Sequence, residues 1–99
     1  MSLFTDDQAL DNYMVSESQF LPLCLRARVL PLVDMCADVL GTNSMCPFFY
    51  SAREDATQQT FFGVPTWCNP PFSDFDRFVK RLEAAREADP GTQAVLVLP

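Results

Sequence analysis

Asn69-Pro70-Pro71-Phe72, directly behind Trp67-Cys68, is the stretch whose residue types and spacing best suit chemistry. Each proline lacks an amide hydrogen and has a fixed φ, so two in a row neither continue a strand nor sit inside a helix. The residue before each proline is also pushed out of the α region. The chain here is a stiff elbow that starts at an asparagine and leaves at an aromatic ring. An asparagine amide oxygen and a backbone carbonyl both accept hydrogen bonds. Together they can grip the two hydrogens of an amine on a flat ring, draw the nitrogen toward tetrahedral geometry and aim its lone pair. Phe72 can stack on that ring, as pockets for flipped-out bases do. No strong base is needed if a methyl sulfonium is attacked, since the reaction then depends on alignment of nucleophile and leaving group. The tetrapeptide alone also fits a turn that happens to carry two prolines.

Such an elbow needs elements to hold it. Thr66-Trp67-Cys68 reads as the strand that ends at it. After it, Ser73 is an N-cap candidate, with Asp74 and Asp76 favourable in a first helical turn. Phe75, Phe78, Val79, Leu82 and Ala85 form one apolar stripe continuing to Ala88, a core-facing helix, with Asp76 and Lys80 able to pair on its wet face. Asp89-Pro90-Gly91 stops the helix, and Ala94-Val95-Leu96-Val97-Leu98 reads as a fully buried strand. Strand, elbow, helix and strand make a βαβ unit, expected to cross over right-handed.

Upstream, Met1 to Val15 is polar and weakly patterned. Ser16 to Gln19 looks like a capping box opening a helix that carries Phe20, Leu23, Cys24 and Ala27 at helical spacing, with Pro22 in its first turn and Arg26 and Arg28 at its end. A buried strand is expected near Leu32 to Cys36 and a second over Pro47 to Tyr50; Asp38 to Met45 reads as loop, and Ser51 to Thr60 as loop or one helical turn. In open α/β sheets ligands bind beyond the carboxyl ends of the strands. Asp34 to Asp38 is expected on the same edge as the elbow. Asp34 there is either part of a binding site or an acid that caps a loop. Asp55 is either a ligand or an exposed loop carboxylate.

Ninety-nine residues, 48% of them hydrophobic and nine of them Phe, make one small domain over 1–99 with a core of its own. The net charge of −6 argues against a generic, basic nucleic-acid-binding surface. No apolar run reaches the ~20 residues needed to span a bilayer, and the acidic start lacks the basic region of a signal peptide. An intracellular location is expected, in the cytoplasm or a host cell, or the nucleus if the source is eukaryotic, with no membrane partner. Cys24, Cys36, Cys46 and Cys68 are widely spaced, with no C-x-x-C pair and no histidine. Buried free thiols in a reducing compartment, rather than a metal site, are the expectation.

The elbow after an apolar strand resembles the catalytic motif of amino-methyltransferases that use S-adenosylmethionine. A longer ordered set is similar to the Dam-type DNA N(6)-adenine methyltransferases of phages and mobile elements. It runs Leu32-Val33-Asp34-Met35-Cys36-Ala37-Asp38, Asn43, Cys46-Pro47-Phe48-Phe49-Tyr50, Glu54-Asp55-Ala56, Trp67 to Phe72, and Leu96-Val97-Leu98-Pro99. The likeness covers about Tyr13 to Pro99. It implies an α/β fold: a small Rossmann-like methyltransferase-type sheet of three or four mostly parallel strands with flanking helices. It also implies S-adenosylmethionine as cofactor and adenine in DNA as target. Asp34, Met35, Cys36 and Ala37 would line the cofactor pocket, and Asp55 would approach its adenine or ribose. Asn69, Pro70, Pro71 and Phe72 would hold the target amine and its ring.

Three positions depart from the family pattern. Its upstream Thr-Pro motif reads Tyr13-Met14-Val15-Ser16-Glu17 here, no G-x-G follows the first strand, and the sequence stops at Pro99. The sheet is therefore expected to be incomplete, with an edge left unpaired or covered by a second chain or a missing segment. Two other functions fit the same pattern. One is an inactive methyltransferase-fold remnant serving as an interaction module. The other is an enzyme acting on another planar amine, in RNA, cytosine or a protein glutamine.

Overall fold

A computed structural model describes residues 16–97. Tyr13 to Val15 of the upstream motif and Leu98-Pro99 of the expected last strand lie outside the described residues.

Helix α1 (Glu17–Ala27) starts where the capping box predicts, with the Ser16 backbone N–H donating to Gln19 Oε1 at 3.0 Å. It ends at Arg28, whose φ of 57° places it in the left-handed region, and the Val29 N–H closes the turn onto the Cys24 carbonyl at 3.1 Å. Pro22 corrects one expectation. It is inside the helix, beyond the first turn, where it removes a helical hydrogen bond. Pro22 and Ser18, four residues before it, are both exposed, so water can satisfy the carbonyl left without its donor.

The sheet has four short strands, β1 (Val33–Asp34), β2 (Phe48–Phe49), β3 (Thr66–Cys68) and β4 (Ala94–Leu96). Their order is β2-β1-β3-β4, and every neighbouring pair is parallel. β1 pairs with β3 as Val33 with Thr66 and Asp34 with Trp67. The two central strands are buried along their whole length, as expected for parallel strands covered on both faces. β1 is shorter than Leu32 to Cys36 because the Asp34 side chain takes the Cys36 N–H at 2.9 Å and turns the chain there. β2 is an edge strand with Phe48 and Phe49 both exposed. Gly41, at φ +72°, packs closely against the Phe49 ring; a Cβ there would come within 2.3 Å of it. β4 is less buried than expected, with Ala94 exposed and Leu96 half-buried.

Helix α2 (Phe75–Ala88) covers the expected span. Its start differs: a 3₁₀ turn over Phe72–Asp74 precedes it and Asp74, not Ser73, is the N-cap. Two prolines leave the elbow too extended for Ser73 to open the helix directly. Asp74 is also the acid that pairs with a helix cation, Arg77 at i+3; Asp76 with Lys80 is not among the described ion pairs. Successive residues of a strand face opposite ways, and β3 divides the core accordingly. Trp67 packs with Cys24, Val29 and Val95 on the α1 face, and Cys68 packs with Met35, Phe61, Phe78 and Ala85 on the α2 face. Phe20 meets Trp67 edge-on with ring centroids 4.7 Å apart.

Truncation of Trp67 therefore empties one whole layer. Trp67→Ala is expected to lower unfolding free energy by about 3–5 kcal/mol in urea titrations, and a loss below about 1 kcal/mol would contradict this account of the core.

Candidate active site

β1 and β3 are parallel neighbours, so their carboxyl ends open on one edge of the sheet. From β1 the chain moves out to β2 and then returns to the other side of β1 as β3. That reversal leaves a crevice at the carboxyl ends, where open α/β sheets bind ligands. Met35, Cys36 and Ala37 enter it from β1, Ser51, Ala52 and Asp55 from the segment after β2, and Pro71, Asp74, Arg77 and Phe78 from the elbow and the start of α2. Together they line a cavity of about 180 Å³. Sites that enclose a whole small molecule run to ~300–1,000 Å³. At about 180 Å³ this cavity has room for only a portion of such a molecule, and it opens onto the edge of the sheet.

Of the residues singled out as cofactor contacts, Met35, Cys36, Ala37 and Asp55 are brought together in this cavity, while Asp34 is not on its lining. Asp34 is 3% exposed. Its Oδ1 accepts the Cys36 N–H at 2.9 Å and its Oδ2 the Met45 N–H at 3.0 Å. It fixes the turn that carries Met35 to Ala37 and ties that turn to the loop before β2. Burial pushes its carboxyl above the usual range, and the two amide hydrogens oppose the shift. Asn43, from the same loop, accepts the Asp38 N–H at 2.7 Å.

Asp55 caps the 3₁₀ turn Ala56–Gln58 with a φ of 56°, in the left-handed region. Its Oδ1 accepts from the Thr57 N–H at 3.1 Å and the Thr57 hydroxyl at 2.6 Å, and its Oδ2 from Arg77 Nη1 at 2.8 Å. The Thr57 hydroxyl first, and then the Arg77 guanidinium, hold its carboxyl below the usual range. A carboxylate oxygen accepts about two hydrogen bonds, so Oδ2 keeps room for one more donor.

In the elbow, Pro70 is buried, Pro71 is extended at φ −56° and ψ 139°, and the Asp74 N–H donates to the Pro71 carbonyl at 3.0 Å. Asn69 is half-buried directly after β3 and does not line the smaller cavity. Phe72 is 43% exposed. It lines a second, open cavity of about 540 Å³ with Ser73, Phe75, Asp76 and Lys80, and Asp74 and Arg77 border both cavities. The elbow thus has Pro71 on one cavity and Phe72 on the other.

All four cysteines are free. A thiol–thiol hydrogen bond with Cys68, together with burial, pushes the Cys36 thiol up, and burial brings Cys46 up to about 12. Among the described residues no cluster of His, Cys, Asp and Glu could hold a metal, and no helix is long and apolar enough to cross a membrane.

Arg77 escaped the sequence reading. Its i,i+3 spacing from Asp74 is a visible signal, but its partners Asp55 and Thr57 lie about twenty residues away and nothing local marks them.

A family model described as DNA N-6-adenine-methyltransferase (Dam) matches residues 29–99, and the chain belongs to that family. Its parallel four-strand sheet with two helices is of the α/β methyltransferase-like kind. No curated protein matches the chain, and no solved structure does.

The cap formed by Asp34 can be tested directly. Asp34→Ala leaves two amide hydrogens without acceptors, and a loss of about 2–3 kcal/mol of unfolding free energy is expected. Urea titration measures it, and a loss within about 0.5 kcal/mol of zero would show that the cap is dispensable.

Proposed function

We propose that this member of the Dam family carries the site for methyl transfer from S-adenosylmethionine to the exocyclic amine of adenine in DNA. The observation that supports this reading is the position of the elbow, with Pro71 on the cavity lined by Met35, Cys36, Ala37 and Asp55, and Phe72 on the adjoining larger one. The smaller cavity fits a portion of the cofactor. The acceptor site left on Asp55 Oδ2 suits a hydroxyl, and Met35, Ala37 and Phe78 offer apolar wall. Asp34 serves this half by fixing the turn that presents Met35 to Ala37. When bound, the cofactor would supply a methyl group on a sulfonium: the C–S bond breaks as the N–C bond forms, the neutral thioether leaves with the electron pair, and the methylated amine gives up one proton to solvent.

The chain's own residues then act on the target. Asn69 Oδ1 and the Pro70 carbonyl accept the two amine hydrogens, which turns the nitrogen lone pair toward the incoming methyl group. Proline rings at Pro70 and Pro71 fix the direction of that carbonyl, so the grip needs little reorganisation. Phe72 stacks on the base through its exposed face. Recognition through one extruded base rather than a basic surface accords with the net charge of −6.

Asn69→Ala is expected to lower the single-turnover methylation rate by at least about 100-fold while leaving S-adenosylmethionine affinity near the wild-type value. Equal loss of both would make Asn69 a structural residue. Calorimetric titration of the wild-type chain supplies the reference, and no heat at millimolar cofactor would sink the enzyme reading. Mass spectrometry of nucleosides after incubation with labelled cofactor is expected to find the label on adenine of DNA. Label on RNA, cytosine or a protein glutamine would reassign the substrate.

A further inference from the structure

Arg77 joins elements that the sequence keeps far apart. It lies in the first turn of α2, where Nε donates to Asp74 Oδ1 at 3.0 Å and Nη2 also contacts Asp74. Nη1 donates to Asp55 Oδ2 at 2.8 Å and to the Thr57 hydroxyl at 2.7 Å. One planar guanidinium therefore spans from the foot of the elbow to the turn that carries Asp55, and all of its partners but Thr57 border the smaller cavity. Stability alone accounts poorly for this arrangement, because the Arg77 side chain is 47% exposed and exposed ion pairs contribute little. What the fork does supply is geometry, since it fixes two carboxylates and a hydroxyl at once.

Asp55 needs such fixing. Its φ of 56° is a conformation that residues other than glycine hold only with local support. The same contact leaves one acceptor site on the oxygen that faces Arg77. Resting on the reading of the smaller cavity as the cofactor half, we propose that Arg77 is a positioning residue for cofactor binding. It holds the Asp55 carboxylate in place on the cavity wall by anchoring it to Asp74 beside the elbow. A lysine cannot substitute, because a single ammonium lacks the fork that reaches Asp74, Asp55 and Thr57 together.

The test uses the 99-residue chain, with S-adenosylmethionine affinity read by calorimetry and folding read by thermal melting. Arg77→Met is expected to weaken cofactor binding about tenfold with a melting temperature close to wild type. In an Asp55→Asn background the same substitution is expected to add little further loss, since the two residues act as a unit. In a carbon-detected titration, Arg77→Met is expected to move the Asp55 carboxyl up toward the ordinary carboxylate range. If Arg77→Met does not fold, Arg77→Lys carries the test and should still bind several-fold more weakly. Wild-type affinity in Arg77→Met, or the same fold-loss with and without Asp55, would overturn the positioning role alone. A wild-type chain that fails to bind the cofactor would instead remove the functional reading and this role with it.

Discussion

Leu32 and Met35 donate backbone hydrogen bonds to Pro65 and Trp67 at 2.8 and 2.9 Å, and this parallel ladder between β1 and β3 sets where everything functional can be. Because the strands run the same way, the turn after Asp34 and the elbow after Cys68 leave the sheet on one edge. Because β2 lies on the opposite side of β1 from β3, the connections part at that edge and leave a crevice. Burial of both strands makes the ladder hard to slip. A shift of one residue would send Trp67 to the α2 face and Cys68 to the α1 face.

Asp34 ends β1 at the cost of burying a carboxylate. Its two hydrogen bonds from Cys36 and Met45 offset the lost hydration, and removing either partner would leave the charge poorly compensated. The pH signature of such a residue differs from that of its neighbours. Burial raises the folded-state pKa of Asp34, so the folded chain holds that proton more firmly and this contribution to stability falls as pH rises through the shifted range. Asp38, Glu54 and Asp55 are shifted the other way by hydrogen bonds, with Thr42, Ser51 and Thr57 as the leading partners. Their contributions are present above the ordinary carboxylate range and lost as pH falls through the lowered values. The loops around the site thus favour the ionised form, while the residue beneath it does not.

What could be read from the chain alone follows the range of the interactions involved. Thr66 to Cys68 and Phe75 to Ala88 were legible because an apolar strand, a proline stop and a stripe of period 3.6 are local signals. The capping box at Ser16 was legible for the same reason. Pro22 was misplaced because proline position is judged by rule, and the rule yields where the lost hydrogen bond faces water. The shortened β1 depends on a side-chain bond that competes with regular structure, and the cap at Asp74 rather than Ser73 on the extended backbone that the two prolines impose. Asp34 carried two readings from the sequence. Its carboxylate accepts the Cys36 and Met45 amide hydrogens, contacts that no pattern of residue types could have shown. The Asp55–Arg77 contact is a long-range meeting of two polar loops, and such meetings leave no periodic trace.

The two sides of the site are held by different physics. On the side proposed for the target amine, the elbow is stiff by covalent structure. Pro70 is buried, and Phe78, one turn into α2, is anchored in the core with Met35 and Cys68. On the side proposed for the cofactor, Asp55 is held by hydrogen bonds and by an ion pair whose two side chains are 47% and 30% exposed. Salt screens an exposed pair within a Debye length of about 8 Å at physiological ionic strength, whereas it does nothing to a proline ring. Conditions that weaken ion pairs therefore loosen Asp55 before they disturb the direction of the Pro70 carbonyl. Rigidity in this fold is strongest where an amine would have to be aimed and softest where a cofactor would have to enter and leave.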